Sequence, residues 1–233
     1  MIKAAIFDVF GTVVDWRTGV AEFAGQIFRD KGLDTDPPAF ADAWRGEYQP
    51  AMERIRAGNR GYVALDDLHQ ENLLRILPEF GLQDTFTATE LQTLNTAWEH
   101  LPPWPDSVSG LAAIREHVII APCSNGSIAL MTRLARFGGL PWDCILGADI
   151  ARTYKPMPAA YLGSASALRL EPAEVLMVAA HNDDLAAAAA QGLATAFLPR
   201  PDEHGPDTGE TRPTGQWTYV AHDLNDLARQ LAP

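Results

Sequence analysis

The chain opens on a short apolar run, Lys3 to Phe10, broken by one acid, Asp8, and closed by Gly11-Thr12. So continuous a run predicts a strand covered on both faces. From Gly19 to about His100 the period changes. Val20, Phe23, Ala24, Ile27 and Phe28 recur at spacings of three and four, and the stretches around 39–57, 66–78 and 87–98 behave alike, which predicts helices with no strand among them. Pro102-Pro103-Trp104-Pro105 then ends the helical segment, since prolines are excluded from helix interiors, and reads as a return linker.

Beyond the linker, strands and helices alternate. A helix over 107–116 precedes a strand at 118–123, a helix from Ile128 to Phe137 precedes a short strand at 144–147, and a helix near 158–169 precedes a strand at 175–180. Another helix opens at Asp183, runs through the alanine stretch to Gly192, and gives way to a strand at 195–198. Apolar strands joined by single helices predict a parallel sheet with helices on both sides. The expected fold class is α/β: a three-layer, Rossmann-like parallel-sheet core of residues 1–15 and 100–233, with an inserted helical cap domain over 16–99. Gly205 to Gly215 reads as a solvated loop, and the chain holds no internal repeat.

With 233 residues, 47% of them hydrophobic, the chain can bury a substantial core. No apolar run approaches the roughly 20 residues needed to cross a bilayer, and Met1 leads into a strand without the basic head of a signal peptide. An unexported, cytoplasmic protein with no membrane partner is expected. Cys123 and Cys144 lie in apolar runs without metal-ligand spacing, which excludes a disulfide scaffold and a zinc ribbon. Lys+Arg 18 against Asp+Glu 30 gives a net charge of -12, which argues against nucleic acid. An anionic small substrate stays open, because a pocket can be locally positive. Its cations must then be few: Lys3, Lys31 and Lys155 are all the lysines.

In open parallel sheets, ligands bind beyond the carboxyl ends of the strands. Four segments deliver polar groups there: Asp8, Ser124-Asn125, Lys155, and His181 to Asp184. Taken singly, Ser124 or Asp183 would be a helix cap and Lys155 a surface charge. Their coincidence at strand ends points to one site. Asp8 is the sharpest, because an ionised carboxylate between apolar neighbours costs several kcal/mol unless donors and a cation hold it. Held ionised by Lys155, it is a candidate nucleophile.

Phe7-Asp8-Val9-Phe10-Gly11-Thr12, Ser124-Asn125-Gly126, Tyr154-Lys155-Pro156 and the acidic loop ending at Asp184 resemble the four motifs of the haloacid dehalogenase superfamily, and the cap falls where that superfamily inserts one. Most members are magnesium-dependent phosphatases with a second Asp two residues after the nucleophile. Here that place holds Phe10, and Ala179-Ala180 stands where the phosphatases have a Gly-Asp pair. The chain therefore resembles the (S)-2-haloacid dehalogenase branch, which implies no metal and no cofactor. Trp44-Arg45 matches that branch's Trp-Arg pair, whose arginine receives the departing halide, and Tyr161 matches a tyrosine six residues after the lysine. Alone, Arg45 would be a solvated arginine and Tyr161 a core tyrosine.

Two departures stand out. Ala179-Ala180-His181-Asn182-Asp183-Asp184 replaces a Ser-x-Asn-x-Trp pattern, putting His181 in the asparagine's place, and Leu65 stands where an aromatic cap residue is usual. His181 could donate a hydrogen bond, act as a base, or contact the halide.

The resemblance implies hydrolysis of short 2-haloalkanoic acids through an ester on Asp8, with inversion at C2. Ser124, Thr12, Asn125 and the amides after Asp8 would take the substrate carboxylate, with Phe10, Trp44 and Tyr161 also expected against the substrate. Arg45 would take the halide, and Asp184 with Lys155 or His181 would direct water at the ester. Dimerisation is suggested by the same resemblance. An atypical phosphatase and a non-catalytic carboxylate-binding relative are the alternatives.

Overall fold

The computed structural model describes residues 1–232. The chain enters through β1 (Ala4–Phe7) and passes into α1 (Trp16–Lys31), α2 (Pro37–Gly46), α3 (Tyr48–Arg56), α4 (Leu65–Ile76) and α5 (Ala88–Asn95), with no strand between them. It returns through α6 (Ser107–Arg115), β2 (Ile119–Pro122), α7 (Ile128–Gly138), the short α8 (Ala148–Ala151), α9 (Pro158–Ala167), β3 (Val175–Ala179), α10 (Asn182–Ala189), β4 (Ala194–Phe197), β5 (Tyr219–Val220) and α11 (Leu224–Leu231). The strand order is β2-β1-β3-β4-β5, and every pairing is parallel.

Strand alternation divides the core. Phe7, Ile120, Leu176, Val178 and Ala196 point to one face, where Leu111 and Ile114 of α6 and Leu224 and Leu227 of α11 meet them. Ile6, Ala121, Met177, Ala179 and Phe197 point to the other, against Tyr161 and Ala165 of α9 and Leu185 and Ala188 of α10. Because successive side chains project to opposite faces, an all-apolar strand is what a sheet covered on both sides demands. The three layers follow.

The helical segment has its own aromatic interior of Trp16, Phe28, Phe40, Trp44 and Trp98. Asp15 caps α1 by accepting from the Thr18 amide, and the helix stops at Gly32 in the left-handed region. Where the chain leaves and re-enters the sheet domain the two crossings pair, the Asp15 amide donating to Pro102 O and the Trp104 amide to Val13 O. Among the described residues, no helix is long and apolar enough to cross a membrane.

One expected strand is absent. Residues 144–147 join the sheet only through a single bridge between Gly147 and Ser124. The Asp143 carboxylate accepts from the Ile120 amide at 3.0 Å, so a side chain occupies part of the β2 edge that a neighbouring strand would need. Sequence reading did not single out β5 or α11, although Leu224, Leu227, Ala228 and Leu231 have helical spacing.

Candidate active site

Asp8 emerges from the carboxyl end of β1, an interior strand flanked by β2 and β3, with its amide fixed to Val178 O at 3.0 Å. Lys155 Nζ lies 2.8 Å from Asp8 Oδ1 and 2.5 Å from Asp184 Oδ2, so one ammonium bridges two carboxylates. Asp8 and Lys155 are only 7% and 8% exposed, which removes most of the competing water. The lysine's backbone is gripped on both sides, its amide by Asn125 Oδ1 at 2.8 Å and its carbonyl by Arg56 Nη1 at 3.0 Å. Tyr161 Oη donates to Asp184 Oδ1 at 2.6 Å and fixes that carboxylate from beneath.

Burial alone would push the Asp8 carboxyl upward. The Lys155 charge, with the hydrogen bond and charge of His181, outweighs it and holds Asp8 far below the usual carboxylate range. Burial works against the charge on Lys155 too, and Asp184 and Asp8 overcome it, keeping the amine charged. At neutral pH this leaves Asp8 ionised, the form in which a carboxylate can act as an oxygen nucleophile.

The second oxygen of Asp8 is equally controlled. Thr12 Oγ1 donates to Oδ2 at 2.7 Å while accepting from the Ala180 amide at 2.9 Å, which ties the ends of β1 and β3 together. His181 Nδ1 stands 3.2 Å from the same Oδ2, and its Nε2 is 2.7 Å from Glu203 Oε2. Ionised carboxylates only accept, so both ring nitrogens must carry hydrogen and the ring is an imidazolium. Burial would lower its pKa, but the hydrogen bonds to Asp8 and Glu203 raise it to about 10. Burial likewise pushes Glu203 up, and the His181 contact brings it below its ordinary value.

Glu203 reaches this position from the segment after β4. Arg200 anchors that segment, its guanidinium donating to Thr12 O at 2.8 Å and to both oxygens of Asp106 at 2.7 and 2.9 Å. Trp16 Nε1 holds Glu203 Oε1 at 3.2 Å. The carboxylate passes Gly11, whose φ is +88° and whose missing Cβ would stand 2.1 Å from Glu203 Oε1. Farther along, Glu210 accepts from the amide and side chain of Asn182, fastening the segment to the start of α10.

These groups line an open cavity of about 580 Å³ beneath the helical segment. Arg45 enters from the last turn of α2, its guanidinium carbon 3.9 Å from the Tyr48 ring centroid and 5.2 Å from that of Trp16, and its buried Nη1 has no partner. Phe10 forms the apolar wall, backed edge-on by Trp98 at 5.9 Å. His69 stacks on Trp98 at 4.2 Å; burial, with the nearby Arg45 charge, pushes its imidazole well below its ordinary value.

Of the residues singled out from sequence, Asp8, Phe10, Arg45, Asn125, Lys155, Tyr161, His181 and Asp184 meet at the cavity. Three expected substrate contacts, Trp44, Ser124 and Thr12, are not among the residues lining the cavity. Trp44 is fully buried in the aromatic interior, its Nε1 donating to His69 O at 2.9 Å. Successive helical residues point about 100° apart, so the turn that aims Arg45 at the cavity aims Trp44 away from it. Ser124 Oγ is folded back to accept from the Gly126 amide at 3.1 Å. Thr12 acts on Asp8 from behind.

Sequence reading missed Tyr48, Gln49, Glu203, His204 and Glu210, all on the cavity wall. Tyr48 carried a faint signal, three residues beyond Arg45 at the spacing that lets helical side chains meet. For Glu203 there was none, since only the folded loop brings it to His181. Among the described residues, no group of three His, Cys, Asp or Glu has the arrangement to hold a metal ion.

The chain matches the family model described as haloacid dehalogenase-like hydrolase over residues 2–192. It is 29% identical over 204 residues to an (S)-2-haloacid dehalogenase of Xanthobacter autotrophicus, covering 86% of this chain and 76% of the relative. A crystal structure of a defluorinating L-2-haloacid dehalogenase superposes with a TM-score of 0.96 at 52% identity, covering 99% of this chain and 95% of that one. An L-2-haloacid dehalogenase from Xanthobacter autotrophicus with chloropropionic acid covalently bound is similar at a TM-score of 0.81 and 25% identity, covering 99% and 98%.

Proposed function

The chain belongs to the haloacid dehalogenase-like hydrolases, and from that membership and the cavity's chemistry we propose that it hydrolyses short (S)-2-haloalkanoic acids to 2-hydroxy acids, with inversion at C2. One observation carries the reading. Asp8 is held ionised at the cavity by Lys155, and the side chain two places on is the apolar Phe10, which offers no proton to a phosphate leaving group.

In this mechanism the 2-haloacid lies over Asp8 with its alkyl group on Phe10. Asp8 attacks C2 from the side opposite the halogen, and the carbon–halogen bond breaks as the Asp8 ester forms. Arg45, whose buried Nη1 lacks a partner, receives the halide; preorganised contacts of this kind commonly contribute roughly 3–4 kcal/mol to the transition state. Water directed by Asp184, with Lys155 or His181, then attacks the ester carbonyl carbon and frees the hydroxy acid. The defluorinating relative extends the proposed range to fluoroacetate. We further propose that Trp44 supports Arg45 rather than touching substrate, that the enzyme acts in the cytoplasm, and that it pairs as a homodimer, which sedimentation would test.

Fluoro-, chloro- and bromoacetate and both enantiomers of 2-chloropropionate test the reading through release of free halide. The (S) enantiomer should be consumed and the (R) spared. In heavy-oxygen water a single turnover should place the label in Asp8 and leave the product unlabelled. Label entering the product directly, or Mg²⁺-dependent phosphate release from an aryl phosphate without any halide release, would overturn it.

A further inference from the structure

The dehalogenation written above liberates one proton per halide, and the placement of His181 says when it leaves. The ring is held between two carboxylates, Asp8 on Nδ1 and Glu203 on Nε2. Other charged or titratable groups on this cavity are Lys155, Tyr161, Asp183, Asp184 and Glu210 from the sheet side, Arg45 and Tyr48 from the helical segment, and His204 beside Glu203. Among these, the only one whose charge the first chemical step removes is Asp8. Once it becomes an ester, the partner of Nδ1 is a neutral oxygen, while Lys155 and Arg45 stay cationic.

Resting on the dehalogenase reading, we propose that His181 is a proton switch driven by the substrate: a cation while Asp8 is free, it releases its proton when Asp8 is esterified and becomes the base that activates the hydrolytic water. The atoms balance. In the first step the Asp8 oxygen bonds to C2, halide departs with the electron pair of the broken bond, and His181 gives a proton to solvent. In the second, water adds as hydroxide to the Asp8 carbonyl carbon and its proton goes to His181. The tetrahedral species expels the alkoxide of the hydroxy acid, which takes the remaining proton, and Asp8 returns as a carboxylate beside a recharged His181. Glu203 is a positioning residue in this cycle, keeping the Nε2 proton in place so that Nδ1, facing Asp8, is the nitrogen that is emptied.

The burial of Glu203 supports this assignment. It is 1% exposed and bound by Trp16 and His181. A buried carboxylate needs compensation. The Nε2 proton therefore stays with the ring even after the ring becomes neutral.

Histidine NMR on the whole protein reads the charge directly, with the His181 signal assigned by its loss in His181→Gln. At about pH 8, a window set by the ordinary histidine range, His181 should be charged in the wild type and neutral in Asp8→Asn, which imitates the uncharged ester. A neutral ring in the wild type, or a charged ring in Asp8→Asn, overturns the proposal. A second measurement is independent of that variant. In the first turnover on (S)-2-chloropropionate, wild type should release one proton with each halide, whereas His181→Gln should release halide without a proton and accumulate the Asp8 ester, its hydrolysis slowed about a hundredfold. Unslowed hydrolysis in His181→Gln also overturns it. Absence of halide release from the wild type would instead remove the dehalogenase reading on which the proposal rests.

Discussion

Glu203 Oε1 occupies the space beside Gly11, 2.1 Å from where a Cβ on that residue would stand. Gly11→Ala must therefore expel Glu203 from His181, and it also forces a φ of +88° onto an L side chain, a strain of about 1–3 kcal/mol. The expected outcome is a lowered melting temperature together with a loss of roughly a hundredfold in kcat on 2-chloropropionate, the low end of the usual range for disabling an acid–base group. Calorimetry and steady-state kinetics on one preparation separate the two effects. Unchanged kcat would show that the His181–Glu203 contact is dispensable.

Lys155 is the only ammonium between Asp8 and Asp184. Lys155→Met leaves two buried carboxylates facing each other without their cation, and removing one partner of a buried ion pair costs about 3–5 kcal/mol. In the wild type, the depressed Asp8 pKa contributes stability above the unfolded value, near ~3.9, which is lost as pH falls toward the folded value. Stability should therefore show no Asp8-linked change at neutral pH. In Lys155→Met that carboxyl rises, so destabilisation should be worst near neutrality and partly relieved by acid, whereas turnover, which needs Asp8 ionised, should fall further as the pH is lowered. Urea unfolding across the acid range would check the slope.

His181 has the opposite sign. Its folded pKa is raised from 6.5 to about 10, so the stability it contributes is fully present below the unfolded value and is lost as pH rises through the folded one. The wild-type melting temperature should decline between those limits, and His181→Gln should flatten that limb. A wild-type curve already flat there would mean that the ring is neutral at rest.

The layered sheet was legible because apolar runs, helical spacing and prolines are local signals. Residues 144–147 misled because a short apolar run does not reveal that Asp143 has taken the edge of β2. The site was legible where its residues ride on strand ends, as Asp8 and His181 do. Glu203 was not, since its role arises from a loop pinned by Arg200 to Thr12 and Asp106, contacts separated by 188 and 94 residues in sequence. Trp44 and Arg45 show the finer limit: neighbours in a motif face different ways on a helix, and only the orientation of α2 decides which one meets the cavity.

Arg45 and Arg29 are both arginines of the helical segment, yet Arg29 reaches only Gln26 on the exposed face of α1. Arg45→Ala should lower kcat by about a hundredfold to a thousandfold, the range for removing one preorganised donor. Arg29→Ala should leave it within error. The loss at Arg45 should also vary with the leaving halogen, which halide release from fluoro-, chloro- and bromoacetate would measure. Equal effects of the two substitutions would refute the halide assignment.

Arg56 gives a sharper test of how the helical segment supports the chemistry, because it touches the lysine through its backbone alone. Its guanidinium donates to Lys155 O at 3.0 Å and is itself steadied by Glu53 at 2.8 Å and Gln49 at 3.2 Å. With Asn125 holding the amide on the other side, the two contacts fix where the ammonium stands between Asp8 and Asp184. Misplacing a catalytic group by an ångström can cost about a hundredfold in rate. Arg56→Ala removes one of two anchors, so a loss of about tenfold in kcat with nearly constant KM is expected, and Arg56→Lys should recover part of it by offering a single donor. The acid limb of the rate profile should also move toward neutrality, because a less firmly seated ammonium holds Asp8 down less strongly. A rise in KM at constant kcat would place Arg56 against substrate instead, and an unshifted acid limb would mean that Asn125 alone seats the lysine.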